Sequence, residues 1–316
     1  MGDEPLTNMD EAAVFEVPEG HKSGFVAVIG RPNVGKSTLV NAFLNQKIAI
    51  VTPRPQTTRL RQLGIITEPH FQMIFMDTPG MMKPRHKLDE FMMEAAVESL
   101  NDADVILWLV DASAPPGPGD RAIARELAAL ETNAAIILGM NKGDLLAAAD
   151  VIPRTEAYRA LLPDAKWILL SAKLGNGRDE LFQMLVDALP EGPRYYPPDQ
   201  ITDAYVRDIA AELIREQALL LLEDEIPYGV AVRVNEYKER PNGTVYISAH
   251  IFVERQSHKK ILIGAKGSQL RRLGAAARRE IEALIEGKIY LDLWVKVEPK
   301  WRHNVRALKR FGYSNE

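Results

Sequence analysis

Five short blocks hold residue types suited to handling a nucleotide, and they follow one another in a fixed order. The first, Gly30-Arg31-Pro32-Asn33-Val34-Gly35-Lys36-Ser37, has the spacing of a loop that curls around phosphate. Its glycines let backbone N–H groups converge on a β-phosphate, and the helix start behind them adds a favourable dipole. Within it Lys36 reaches the β- and γ-phosphates, and the Ser37 hydroxyl suits Mg2+. Asp77-Thr78-Pro79-Gly80 closes an apolar run. Asp77 is expected to hold Mg2+, through water, and the Gly80 N–H to reach the γ-phosphate; alone, the block reads equally well as a Pro-Gly turn.

Base choice falls to Asn141-Lys142-Gly143-Asp144. A carboxylate at Asp144 accepts from guanine N1–H and from the exocyclic amine. Adenine offers neither, so ATP would leave a buried acceptor unpaired. Ser171-Ala172-Lys173 would steady the base through a backbone N–H. Each later block is modest by itself; the order of all five is what points to GTP and to a shape change when it is cleaved.

Between Ala49 and Leu63 lies Pro55-Gln56-Thr57-Thr58-Arg59. A threonine there binds Mg2+ only while the γ-phosphate is present, so the segment orders with GTP and loosens with GDP. Thr58 is favoured and Thr57 stays open; a β-branched pair entering a strand is the plain alternative. Many GTPases place a glutamine directly after Asp-x-x-Gly to orient water. Here Met81 and Met82 stand instead, so catalysis must rest on Mg2+, Lys36 and the backbone, with Thr58 and Gly80 in support, and intrinsic turnover is expected to be slow.

Alternating elements must position these blocks. Strands are expected at Phe25–Ile29, Leu60–Thr67, Phe71–Met76, Val105–Val110, Ala135–Met140 and Trp167–Leu170. Helical spacing fills Lys36–Leu44, Leu88–Asn101, Ala122–Leu130 and Arg178–Leu189. That alternation predicts a doubly wound, mostly parallel α/β sheet with its ligand beyond the carboxyl ends of the strands. Four prolines in Pro190–Pro198 break the pattern and make a stiff linker. Beyond it the expected order is helix (203–225), two strands (230–239 and 244–254) around Pro241-Asn242-Gly243, helix, helix, and a last strand at 289–297. Ile261-Leu262-Ile263 reads as a strand-like run before Gly264-Ala265-Lys266-Gly267.

With 316 residues, 46% hydrophobic and 26% charged, the chain suits two globular domains. Cysteine is absent, which removes disulfides and thiolate metal sites and fits a reducing cytoplasm. No apolar run approaches the ~18 residues of a membrane span. The acidic stretch over 1–22 is no secretory signal and reads as a tail. Net charge is −4, but residues 1–202 hold 19 Lys+Arg against 27 Asp+Glu, while 203–316 hold 20 against 16. The window 255–279 contains eight Lys and Arg and no acid, a footprint for a polyanion. Gly264-x-x-Gly267 ahead of a helix bearing Arg271 and Arg272 is the arrangement by which a KH module clamps about four single-stranded nucleotides. Lys266 adds charge, with Lys259 and Lys260 beside it, and Ile261, Leu262, Ile263 and Leu273 would line an apolar groove or simply be core. A solvated basic face, with the module binding protein, is the competing reading, and a P-loop ATPase or kinase is disfavoured by Asn141–Asp144.

Taken together, the chain closely resembles the Era family of bacterial GTPases from about Phe25 to Tyr313. The resemblance is carried by Gly30–Thr38, Pro55–Arg59, Asp77–Gly80, Asn141–Asp144, Ser171–Lys173 and Gly264–Gly267. It implies a Ras-like GTPase domain over 23–190, a linker over 191–202, a type II KH domain over 203–300 and a basic C-terminal tail over 301–316. It assigns the nucleotide to Gly30, Pro32, Asn33, Val34, Gly35, Lys36, Ser37, Thr38, Asp77, Gly80, Asn141, Lys142, Asp144, Ser171, Ala172 and Lys173. Mg2+ falls to Ser37, Thr58 and Asp77, and RNA to Gly264, Ala265, Lys266 and Gly267 with Lys259, Lys260, Arg271 and Arg272. The family's role implies a GTP-bound monomer gripping the 3′ end of 16S ribosomal RNA during 30S subunit maturation, and release on hydrolysis. The apolar residue at Met81 agrees with family members. Related GTPases with Asn in the first block use K+, which makes Asn33 a candidate ligand. The family is also found at the inner face of the cell membrane, for which this sequence offers only the basic segment 301–310.

Overall fold

The structure, a computed structural model, describes residues 17–313. Most of the expected acidic tail and the last three residues lie outside that range. Where the described chain begins it is already anchored: His21 is buried, with Nδ1 2.9 Å from the Gly192 carbonyl oxygen.

The N-terminal sheet is built from β1 (Lys22–Ile29), β2 (Gln62–Glu68), β3 (Phe71–Asp77), β4 (Val105–Asp111), β5 (Ala135–Asn141) and β6 (Lys166–Leu169). Its strand order is β2-β3-β1-β4-β5-β6, with every pair parallel except β2–β3. Val105–Val110 is wholly buried, as a continuous apolar run must be when helices cover both faces. Five helices belong to this layer: α1 (Lys36–Leu44), α2 (Lys87–Asn101), α3 (Pro118–Ala129), α4 (Val151–Arg159) and α5 (Arg178–Ala188). The sequence pattern places the start of α3 four residues late, because Pro118 at its first turn reads as a breaker although proline suits that position. Helix α4 is absent from the sequence pattern; Pro153 interrupts its spacing in the same way. The phosphate loop, Asp77 and Asn141 all fall at the carboxyl edge of the sheet.

The second layer follows the expected order: α6 (Val206–Leu221), β7 (Ala231–Glu239), β8 (Val245–Val253), α7 (Gln256–Ile263), α8 (Ser268–Leu284) and β9 (Ile289–Val297). Strand β8 is central, antiparallel to β7 and parallel to β9. One core joins all three helices to one face of this sheet, through Leu213, Ile251, Leu262, Leu273 and Ile281. Ile261–Ile263 is no strand: it is the last turn of α7, where Leu262 points into the core and Ile261 stays exposed. Three successive apolar residues fit either element, and the basic turns ahead of them extend the helix.

A basic tail was expected from 301 onward. Instead Trp301, Leu308, Phe311 and Tyr313 are buried, and α9 (Val305–Arg310) packs with Leu88, Phe91 and Met92 of α2. The apolar spacing inside a basic stretch carries this contact, and charge counting hides it.

Candidate functional site

At the turn from β1 to α1, Gly30 and Gly35 have φ of 148° and 104°, values that favour glycine. A Cβ on Gly30 would sit 2.2 Å from the Leu109 carbonyl oxygen, and one on Gly35 2.3 Å from Asn141 Nδ2. Asn33 takes a left-handed φ of 65° and donates from Nδ2 to the Pro53 carbonyl oxygen at 2.8 Å. Lys36 folds back into the loop, donating to Gly30 O at 3.3 Å and to Arg31 O at 3.4 Å. Burial lowers its pKa to about 8, against the pull of nearby Asp77. Arg31 is tied to buried Asp120 of α3 at 2.7 Å, so the loop is braced from outside as well.

Three side chains proposed for metal converge. Ser37 Oγ donates to Asp77 Oδ2 at 2.6 Å and lies 2.9 Å from Thr58 Oγ1. Thr57 turns elsewhere, its hydroxyl 2.7 Å from Thr52 Oγ1 and donating to Arg54 O. Asp77 is wholly buried; burial raises its pKa to about 6, offset in part by Lys36, Ser37 and Thr58. Its Oδ1 is buried with no hydrogen-bond partner, a cost that a cation would remove. Two hydroxyls and one such carboxylate are hard oxygen donors that could hold Mg2+, whose remaining positions water and phosphate oxygens commonly fill. No cluster of three or more His, Cys, Asp or Glu suited to a metal occurs among the described residues.

Gly80 lies against the phosphate loop, where a Cβ would stand 2.6 Å from Pro32 N, and Met81 N donates to Gly30 O at 3.1 Å. Met81 is buried in the sheet core, and its thioether can neither orient nor deprotonate water. Across the cleft, Asn141 spans two loops, donating to Val34 O and accepting from Ala172 N, each at 2.8 Å. Lys142 holds Asp111 at 2.6 Å. Asp144 and Lys173 are exposed, Ser171 is buried, and Ser171 Oγ caps the turn by accepting from Leu174 N. Asn141 thus acts as a brace between loops, and Asp144 is the acceptor left facing solvent. Thr38 and Val34 complete the loop, Val34 as core.

The second proposed site lies some distance away in sequence and fold. Gly264 (φ 71°), Lys266 (φ 50°) and Gly267 (φ 77°) make the turn between α7 and α8. Ala265 and Lys266 project outward, with Lys260, Arg271 and Arg272 exposed nearby and Lys259 half-buried. Arg271 donates to Lys266 O at 2.9 Å, which stiffens the turn. The groove beside it is lined by Leu270, Gly274, Leu291 and Leu293, with Arg278 and Tyr290 at its rim. Of the two readings left open for the apolar residues, core holds for Leu262 and Leu273, with 1% and 2% exposure, while Ile261 stays exposed.

A set of residues, of which only Arg59 lies in one of the motif blocks, joins the two layers. Arg59 is buried beneath the second layer, donating to Val230 O at 2.7 Å and Tyr228 O at 2.9 Å, beneath the rings of Trp301 and Tyr313. Lys47 bridges Glu216 and Glu280 at 2.7 and 2.8 Å, and Glu216 also accepts from Val51 N at 2.9 Å. Arg54 donates to Leu222 O. Sequence spacing could have shown only that α6 carries Arg215 and Glu216 on its apolar side.

Comparison with known proteins agrees with this architecture. A model described as 50S ribosome-binding GTPase matches residues 25–142, and one for the KH domain matches 225–302. The GTPase Era of Halothermothrix orenii is 48% identical over 93% of this chain and 99% of its own length. The chain belongs to the Era family of GTPases. Era of Lacticaseibacillus paracasei is 47% identical over 94% of the chain and 98% of its own. A crystal structure of Era with MgGDPNP and nucleotides 1506–1542 of 16S ribosomal RNA superposes with a TM-score of 0.89, at 39% identity, over 93% of this chain and 99% of that one. A single-residue variant of Aquifex aeolicus Era bound to GDP.AlF4- gives the same values. The chain is accordingly a GTPase with a Ras-like domain and a C-terminal KH domain. No helix among the described residues is long and apolar enough to cross a membrane.

Proposed function

We propose that this protein is a monomeric, cytoplasmic GTP-hydrolysing switch that grips the 3′ end of 16S ribosomal RNA in its GTP state and assists 30S subunit maturation. The observation that carries this is one short segment held at both ends. Thr58 meets Ser37, which in turn donates to Asp77, beside the phosphate loop, while Arg54 and Arg59 on either side of it are bound by the KH-bearing layer. A γ-phosphate with Mg2+ on Ser37, Thr58 and Asp77 would fix that segment and with it the placement of the KH groove. The relative solved with nucleotides 1506–1542 supports the choice of RNA, and the exposed Lys260, Lys266, Arg271 and Arg272 supply cations for phosphate.

Asn141 and Ala172 shape the base pocket, Asp144 reads guanine, and Lys36 with the Gly80 N–H stabilises the transferring phosphoryl group. K+ held by Asn33 would add a further positive charge; GTP turnover in K+ should then exceed that in Na+, and Asn33→Ala should erase the difference. Contact with an anionic membrane face would be electrostatic only, because the apolar side of α9 is already buried.

Cross-linking to total cellular RNA in the presence of a GTP analogue or GDP tests the whole reading. Recovery of the 16S 3′ end with the GTP analogue alone is expected; equal recovery in both states defeats the switch, and recovery in neither defeats the RNA assignment.

A further inference from the structure

The three-stranded sheet has a second face, opposite its helices, and the chain covers only part of it. At one end Phe252 packs on Phe311, with ring centroids 4.6 Å apart. The remainder carries aromatic rings in solvent. Tyr246 and Tyr290 are paired across β8 and β9 and stack at 5.9 Å and 23°. Arg240 lies over both, 4.8 Å from one ring and 5.5 Å from the other. Further along the sheet, Trp294 pairs with His250 and has its indole N–H held by Asp292 at 2.9 Å. Tyr290 and Trp294 remain 57% and 59% exposed.

The charges around these rings favour an anion. Arg233, Arg240 and Lys296 are exposed on or beside this face, and Lys238 is paired with Glu236 at 3.0 Å. Asp292, the other acid, is engaged with the indole. Flat aromatic faces interleaved with cations are the means by which proteins hold unpaired bases and track their phosphates. An apolar protein partner would instead leave several cations desolvated and unpaired. Cross-strand packing explains why two tyrosines stack; it does not explain why a tryptophan stays open on the same face.

Continuity decides the occupant. Tyr290 also lines the groove formed by Lys266, Arg271 and Arg278, so a strand leaving that groove meets the aromatic face directly. We propose that Tyr246, Tyr290 and Trp294, with Arg240, form a second platform for single-stranded RNA that extends the KH groove around the edge of β9. This rests on the RNA reading above and deepens it. Tyr290 and Trp294 are about 13 Å apart along the strand, well beyond one stacked step of about 3.4 Å. The two ring sites would therefore take bases that are not stacked neighbours.

The test uses the full chain with a GTP analogue and two single-stranded RNAs. One is about four nucleotides long, the length a KH groove clamps, and the other is extended to about ten. Wild type should bind the longer RNA roughly tenfold or more tightly. Tyr246→Ala with Trp294→Ala should abolish that gain while leaving the short RNA and GTP turnover unchanged, and Trp294→Phe should restore part of it. In a Trp167→Phe background, the longer RNA alone should quench Trp294 fluorescence, since Trp108 and Trp301 are buried; this reading survives even if the double variant folds poorly. If the double variant keeps the full length gain, and Lys266→Glu weakens both RNAs, the platform is overturned and the face is left to a protein partner or to solvent. If the short RNA does not bind at all and Lys266→Glu changes nothing, the RNA reading itself fails and takes this inference with it.

Discussion

Arg215, wholly buried in α6, donates a hydrogen bond to the carbonyl oxygen of Thr57, the residue next to the hydroxyl that meets Ser37. Its charge is balanced by Glu212 one turn earlier in the same helix. A guanidinium of the KH-bearing layer thus holds the backbone of the segment proposed to sense the γ-phosphate. Burial, which by itself would lower the Arg215 pKa, is outweighed by Glu212, and the pKa is raised. The group stays charged and the bond is charge-assisted.

Replacing Arg215 with Met should keep the packing volume and remove the tie. RNA affinity is then expected to become the same with a GTP analogue as with GDP, while nucleotide affinity changes little. Loss of a partner from the Glu212 pair should cost roughly 3 kcal/mol of stability. Fluorescence titration of RNA in both nucleotide states, with a denaturant melt alongside, separates the two effects.

Gly80→Ala should slow GTP hydrolysis at least about tenfold. The added Cβ would lie 2.6 Å from Pro32 N and 2.8 Å from Pro32 Cα, so the Gly80 backbone must back away from the phosphate loop and withdraw its N–H. GDP, which makes no demand on a γ-phosphate donor, should bind nearly as before. Single-turnover kinetics and a GDP titration check both halves.

Asp144→Asn should lower the preference for GTP over ATP by about a hundredfold, since a carboxylate acceptor for two guanine donors is replaced by a group that can also donate. Asp144 is exposed, so the melting temperature should not move. Competition binding with the two nucleotides reads the change.

The junction between layers should weaken in acid. His86 lies 3.3 Å from Arg302 and edge-on to His303, with Asp89 on its own helix and Arg59 nearby. Burial first, then the facing cations, hold its pKa below the ordinary 6.5 in spite of Asp89. The folded form therefore resists a proton that the unfolded chain accepts. The stabilisation is complete above that value and is lost as pH falls below it. His86→Asn, which can still cap α2, should flatten the pH dependence of the melting temperature between about pH 7.5 and about pH 5.5.

What could be read from residues alone was what local chemistry dictates. Lys36, Asp77 and Asn141 sit in blocks whose spacing is fixed by a ligand, and the structure brings them to one edge of the sheet. Strand ends also came within a few residues, because runs such as Val105–Val110 are buried on both faces. The interlayer roles of Arg59, Arg215 and Trp301 were not legible, although Arg59 closes a motif block: each is defined by a partner more than 150 residues away in the chain or on another element. The groove lining stayed undecided between groove and core for a related reason, since Leu273 and Leu270 share a helix and only the position of β9 decides which of them faces inward. Tyr246, Tyr290 and Trp294 form a group only once the register of β8 against β9 is known.

The proline-bearing linker turns out to be fastened along much of its length. Gln72 accepts from the amides of Tyr195 and Tyr196, and Ile65 of the edge strand β2 donates to Ile201 O at 2.9 Å. The pivot for any swing of the KH layer is thereby confined to the few residues between Ile201 and the start of α6. A hinge set so close to its post gives rotation with almost no reach, so lengthening the fastened stretch would leave the arc unchanged, whereas a single stiffening substitution near Asp203 would jam it.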